Sequence, residues 1–379
     1  MRPLGTARIK GSAIEGGALL AGCLRRNTLA VADEQTNREA FRFQHRYCVA
    51  MDALITGRVV LALADCLSRE SRTGARALDW EGEPTKAALP LRLTGGLHSL
   101  ALKGVALTEV FDGSETDPDA VKGELSAALI AHDNALYPWL DGPPQTNEPG
   151  RSGALMCGML EVSRRFGQPL EVIEIGSSAG LNLLIERYRF DLGGVIVGPE
   201  NSPVTIRPEW RGPPPPLAPV RFAGVRGCDV RPVDVRNTAA ADRLRAYVWA
   251  DNHERQIRLD KAIAMIVEKP VHLERADAAD WLDARLAEPQ AGGATRVLMH
   301  SVVWQYLPPE TQARITAAME AAGARATVER PLAWVEMEPD RTLHRQEVWV
   351  RTWPDGPPRT MVAASQAHGA WVEGWSSEV

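Results

Sequence analysis

Long apolar runs, paired cysteines and blocks of like charge are all missing from this 379-residue chain, and each absence closes off a class of protein. No stretch approaches the roughly 18 apolar residues that span a bilayer, and the N-terminus lacks a basic-then-apolar leader pattern. The chain is therefore expected in the cytoplasm, off the membrane. Five cysteines (Cys23, Cys48, Cys66, Cys157, Cys228) are scattered without a C-x-x-C pair, which predicts neither a disulfide framework nor a bound metal. A net charge of −5 speaks against a nucleic-acid partner held by phosphate neutralisation. Ten arginines against six acids between Arg207 and Arg258 read as a solvated face or an anion site. H-E-x-x-H, G-x-S-x-G and G-K-[ST] are absent too, so zinc-protease, α/β-hydrolase and P-loop chemistry lack their residues.

What is there has an ordinary globular balance, 45% hydrophobic and 24% charged, on a chain long enough for two cores. From about residue 37 to 140 the apolar spacing is helical, with Phe41, Met51, Leu54, Val59, Leu63 and Leu67 as its first turns. An all-helical N-terminal domain is predicted over 1–150, closed by the turn at Asp141-Gly-Pro-Pro144. The remainder, 151–379, alternates strand and helix, the sequence form of a doubly wound sheet. Strands are predicted at 170–175, 224–230, 271–275, 296–301 and 331–337, and helices at 151–166, 179–187, 239–268, 279–287 and 309–322. A Pro-Asp-Gly turn between 347–353 and 360–364 predicts a C-terminal antiparallel hairpin, and 188–222 reads as an insertion.

The segment LEVIEIGSSAGLNLL over 170–184 runs from a buried strand into a small-residue turn. Gly176, Ser177, Ser178 and Gly180 allow a tight bend that brings backbone N–H groups to a ligand. The spacing is G-x-x-x-G, and Glu174 at the strand end opposes a pyrophosphate and favours a cationic amine. The pattern resembles motif I of class I S-adenosylmethionine-dependent methyltransferases, whose ligand carries a sulfonium and an ammonium but no phosphate. Asp229, ending the second strand, is placed to accept ribose hydroxyls, with Asp191 as the competitor. Asp277 after the third strand faces an adenine amino group or caps a helix. The fourth strand ends in Met299-His300-Ser301, which sets His300, Ser301, Gln305 and Tyr306 at a reaction centre, His300 as general base. Before the 151–166 helix stands Gln145-Thr-Asn-Glu148 with Arg151. Asn147 caps a helix or touches cofactor, and Arg151 suits a carboxylate at a domain cleft. Trp249 and Asp251 are read inside a long helix, as a wall and a carboxylate or as core and surface.

Taken together, QTNEPGR, EIGSSAGLNLL, GCDVRPVD, HSVVWQYLP, TWPDG and AHGAWVEGW are similar to a bacterial domain-of-unknown-function family, number 2332. The resemblance implies an α/β fold: a Rossmann-like class I methyltransferase sheet, parallel with an antiparallel C-terminal hairpin, preceded by an all-helical N-terminal domain. The expectation is an S-adenosylmethionine-dependent methyltransferase acting on a small molecule. A non-catalytic sensor or scaffold on the same fold is the alternative, and an NAD-dependent oxidoreductase is disfavoured by Glu174.

Overall fold

The computed structural model describes residues 33–374; Cys23 and the N-terminal residues read for a leader pattern lie outside them. The helical half comprises α1 (Glu34–Ala50), α2 (Leu54–Cys66), α3 (Arg72–Leu78), α4 (Leu89–Leu102), α5 (Thr108–Asp112), α6 (Pro118–Ala131) and α7 (Asp133–Leu136). Asp33 caps α1 by accepting from the N–H groups of Gln35 and Thr36, and Asp117 caps α6 ahead of Pro118. Phe41, Leu63, Leu93, Leu97, Val110 and Leu125 form its own core. Ala250, from much later in the chain, joins that core.

The second half opens with α8 (Arg151–Phe166) and continues through a nine-stranded sheet. Five strands run parallel in the order β7 (His272–Arg275), β6 (Phe222–Asp229), β1 (Leu170–Ile175), β8 (Thr295–Ser301), β9 (Leu332–Asp340). Beyond β9 the sheet becomes an antiparallel meander, β10 (Arg345–Trp353), β11 (Thr360–Ser365) and β12 (Trp371–Gly374). The small strands β2 (Arg189–Leu192), β3 (Val195–Val197) and β4 (Thr205–Ile206) form a second sheet. Helices α9 (Thr238–Ala246), α10 (His253–Glu268), α11 (Ala278–Ala287) and α12 (Pro309–Gly323) complete an α/β fold. Alternate residues of β1 serve opposite faces: Val172 packs in the core containing α8 and α10, Ile173 and Ile175 in the core containing α11 and α12. Gly158 lets α8 press onto the sheet, since a Cβ there would lie 2.5 Å from Val335 Cγ1. Among the described residues, no helix is long and apolar enough to cross a membrane.

Four expectations need correction. The expected C-terminal hairpin is part of a longer meander, because β9 itself turns back into β10. The 188–222 insertion is not wholly apart, for β5 (Glu209–Arg211) pairs with β12 as the sheet's edge. The helix expected at 179–187 is a 3-10 segment, Leu181–Glu186, started by a left-handed Gly180. Its first five residues, Leu181 to Ile185, are all buried, so it has no polar face to extend as an amphipathic helix. The helix expected at 239–268 breaks after Ala246 and restarts at His253. There Asp251 turns away to cap α2, accepting from Ile55 N–H (2.6 Å), Thr56 N–H (3.0 Å) and the Thr56 hydroxyl (2.7 Å). Trp249 and Asp251 therefore sit in a break between helices, holding the two halves together.

Candidate functional site

Chain order reverses at β1: β6 and β7 lie to one side, and β8 crosses to the other. Ligands of open α/β sheets bind beyond the carboxyl ends of strands at such a switch. Here that point holds the turn after β1, with positive φ at Gly176 (70°), Ser178 (53°) and Gly180 (77°). Asp229 at the end of β6 ties this turn to its own loop, accepting from Ser178 N–H and Arg231 N–H, both at 2.8 Å. The face of Gly176 expected to meet a ligand carries Val303, whose Cγ2 would lie 2.3 Å from a Cβ at Gly176. Ser177 is buried, its hydroxyl turned to the Glu174 carbonyl at 3.3 Å.

Glu174 is 1% exposed and its Oε2 has no hydrogen-bond partner among the described residues. Burial, helped by the Asp229 charge, drives its pKa up to about 8 against the opposing effects of the Ser177 hydroxyl and the Arg151 charge. Arg151, first residue of α8, is 8% exposed. Its Nε donates to the Ala367 carbonyl at 3.1 Å, and no carboxylate of a described residue lies within 4.0 Å of the guanidinium. Burial lowers its pKa, as expected of a cation short of counter-charge.

Next to it stands a buried ion cluster that sequence reasoning missed. Glu148 accepts from Arg255 Nε at 2.7 Å and from Arg258 Nη2 at 3.2 Å, and from Gly150 N–H at 2.8 Å. Burial alone would raise its pKa, yet the two guanidinium groups bring it down to about 2. His368, in the loop between β11 and β12, is pushed down to about 3 by burial and by Arg255, and its Nδ1 is buried without a partner. Gly150 and Gly369 let these loops touch, since a Cβ on Gly150 would lie 2.4 Å from the His368 carbonyl oxygen. The signal was present in the i, i+3 arginines of α10 and in the histidine of AHGAWVEGW, but nothing local pairs them with Glu148.

The end of β8 is built differently from expectation. His300 is fully buried, with Trp334 Nε1–H donating to its Nε2 at 3.0 Å. An indole only donates, so Nδ1 carries the proton and donates to Glu338 Oε1 at 2.8 Å. Both ring nitrogens are consumed and Trp304 stacks on the ring at 5.3 Å, so His300 is not a free general base. Glu338 also accepts from the N–H groups of Val303 and Trp304, fixing the loop that covers Gly176. Ser301 borders Asn182, 3.5 Å from hydroxyl to amide, and Asn182 in turn accepts from Ser152 at 2.9 Å. Gln305 is exposed and accepts from Arg341. Asp277 is the N-cap of α11, accepting from Ala279 and Asp280 N–H. Asp191 holds the β2–β3 turn through Gly194 N–H and pairs with Arg207, whereas Asp229 is bonded to the turn after β1. Asn147 does not cap α8; its Oδ1 accepts from Leu181 N–H at 2.7 Å.

Between the halves lies a cleft of about 380 Å³ bordered by His98, Phe111, Tyr247, Trp249, Arg255 and Tyr306. Among the described residues no group of three or more His, Cys, Asp or Glu side chains could hold a metal. No curated protein and no solved structure matches the chain. The bacterial family described as "Uncharacterized protein conserved in bacteria (DUF2332)" matches residues 38–375, and the chain belongs to it.

Proposed function

We propose that this chain is an S-adenosylmethionine-dependent methyltransferase acting on a small molecule. The observation that carries the reading is a pair of incomplete charges: a buried Glu174 with an orphaned oxygen and a buried Arg151 without an ion-pair partner, close enough to influence each other yet unpaired. A ligand bearing an ammonium and a carboxylate satisfies both, and the methionine end of S-adenosylmethionine has that form. When bound, the cofactor supplies an electrophilic methyl group on a sulfonium. Glu174 exchanges its proton for the cation, and Arg151 accepts the carboxylate. Asp229 keeps lone pairs free for hydroxyls after its two backbone bonds. The nucleoside end has to share the turn with Val303, so the fit is better for the amino-acid end than for the sugar. With no free base at His300, the protein's contribution is alignment, which supplies about 7–11 kcal/mol in well-oriented systems.

The consumed His300 also favours a second reading, a non-catalytic binder of the same ligand. Calorimetry with S-adenosylmethionine, its demethylated product and NAD tests the first point. Binding of the first two, tightening from pH 6.5 to 8 as Glu174 loses its proton, is expected; binding of NAD alone overturns the proposal. Binding without any demethylated product after incubation with candidate small molecules favours the sensor.

A further inference from the structure

We propose that the cleft between the two halves binds a small aromatic carboxylate, which is the substrate class of the reaction proposed above and rests on that reading only for the word substrate. The walls are aromatic and come from both halves. His98 stacks on Phe111 at 4.8 Å, Tyr47 meets Trp249 edge-on at 6.1 Å, and Tyr247 packs against Trp139 at 5.4 Å. Gly95 of α4 keeps the space open, because a Cβ there would strike Tyr247 Cε1 at 2.6 Å and push the ring into the cleft. A volume of about 380 Å³ admits a body of one or two rings, near the lower end of the roughly 300–1,000 Å³ of ligand pockets.

The charge at one end fixes the sign of the ligand. Among the described residues no aspartate or glutamate borders the cleft, while Lys86 and Arg255 do. Behind that border Arg255 and Arg258 share the one carboxylate of Glu148. Arg255 spends Nε on Glu148, and no other hydrogen bond engages its remaining N–H groups among the described residues. His368, also at the border, presents an unpartnered buried Nδ1. If a cofactor carboxylate takes Arg151, one positive charge at the Arg255 and Arg258 end is still uncompensated. Aromatic faces alone would also suit a cation, but the charged side chains at the border itself, Lys86 and Arg255, are of like sign to it. An anion on an apolar ring satisfies walls and charge together.

The test is calorimetry on the full chain, without S-adenosylmethionine, using 2-naphthoate, its neutral amide, the cationic 2-naphthylmethylamine, and acetate. Naphthoate is expected to bind about tenfold or more tighter than the amide, the step of one charge-assisted contact, with no measurable binding of amine or acetate. Ala87 is a half-buried wall residue, and Ala87→Phe should weaken naphthoate at least about tenfold by filling the space while leaving the unfolding midpoint unchanged. Arg255→Gln should bring naphthoate and amide within about threefold. If that variant does not fold, the ligand series and Ala87→Phe still decide. An amide that binds as well as naphthoate, or naphthoate binding indifferent to Ala87→Phe, overturns the assignment. Because every arm omits the cofactor, these failures are distinct from a failure of S-adenosylmethionine to bind, which would sink the methyl-transfer reading alone.

Discussion

Glu148 before α8 and Glu174 at the end of β1 are the same residue in equally dry surroundings, 3% and 1% exposed, and they behave oppositely. Burial pushes both carboxyls toward the neutral form. At Glu148 two arginines reverse the effect and hold the pKa near 2; at Glu174 nothing pairs with Oε2 and it rises to about 8. The difference teaches that burial of an acid says little until its partners are counted. A compensated one belongs to the fold. An uncompensated one costs free energy at neutral pH, which in the proposed complex the ligand's ammonium would offset.

The strongest way to break this contrast is Glu148→Gln, which leaves the buried Arg255 and the half-buried Arg258 without their acid. It should destabilise the protein by about 3–5 kcal/mol in denaturant unfolding. A loss under about 1 kcal/mol would mean the arginines are solvated and the two glutamates are not opposites. In the wild type this contribution is fully present above the unfolded pKa near 4.5 and disappears as pH falls through about 2.

Glu174 carries the contrary sign. Its folded pKa is raised, so the native state binds the extra proton and stability falls as pH rises from about 4.5 to about 8. Below about 6.5, His368, with its folded pKa pushed down to about 3, tilts the curve the other way. From pH 6.5 to 8 wild-type stability should therefore fall by about 1.5–2 kcal/mol relative to that of Glu174→Gln, a difference in which the contributions of His368 and His98, whose folded pKa values are also lowered, cancel. Parallel curves for the two proteins would refute an uncompensated Glu174.

Two smaller substitutions calibrate the scale. Asp251→Ala removes an acceptor from three donors at the start of α2 and should cost about 1–2 kcal/mol, seen as a lowered unfolding midpoint. Asp191→Asn, on a half-exposed pair with Arg207, should change stability by less than about 0.5 kcal/mol and leave S-adenosylmethionine affinity unchanged. A marked loss of affinity would restore Asp191 as the ribose acid.

The elements written in local periodicity were legible. Strand β1 and helix α8 fall on their expected residues, and β8 within one residue, because each is a buried run bounded by turn or glycine signals. The breaks were not, since they depend on distant partners: residues 247–252 leave the helix to serve α2, and Leu181 takes its cap from Asn147. The site divides the same way. Glu174, Gly176 and Arg151 could be singled out by position in a motif. That His300 is spent on Trp334 and Glu338, or that Glu148 meets α10, arises from pairings across 34 to 110 residues, to which no local spacing points.

The cap that Asp251 gives to α2 also sets an order of events during synthesis. The N-terminus of α2 leaves the ribosome 196 residues before the carboxylate that satisfies it has been made. At about 5–20 residues per second that interval is roughly 10–40 s. Through that time the nascent helical half holds open donors at α2 and lacks Ala250 in its core, and it is the arrival of the segment between α9 and α10 that completes a core whose other residues were made long before.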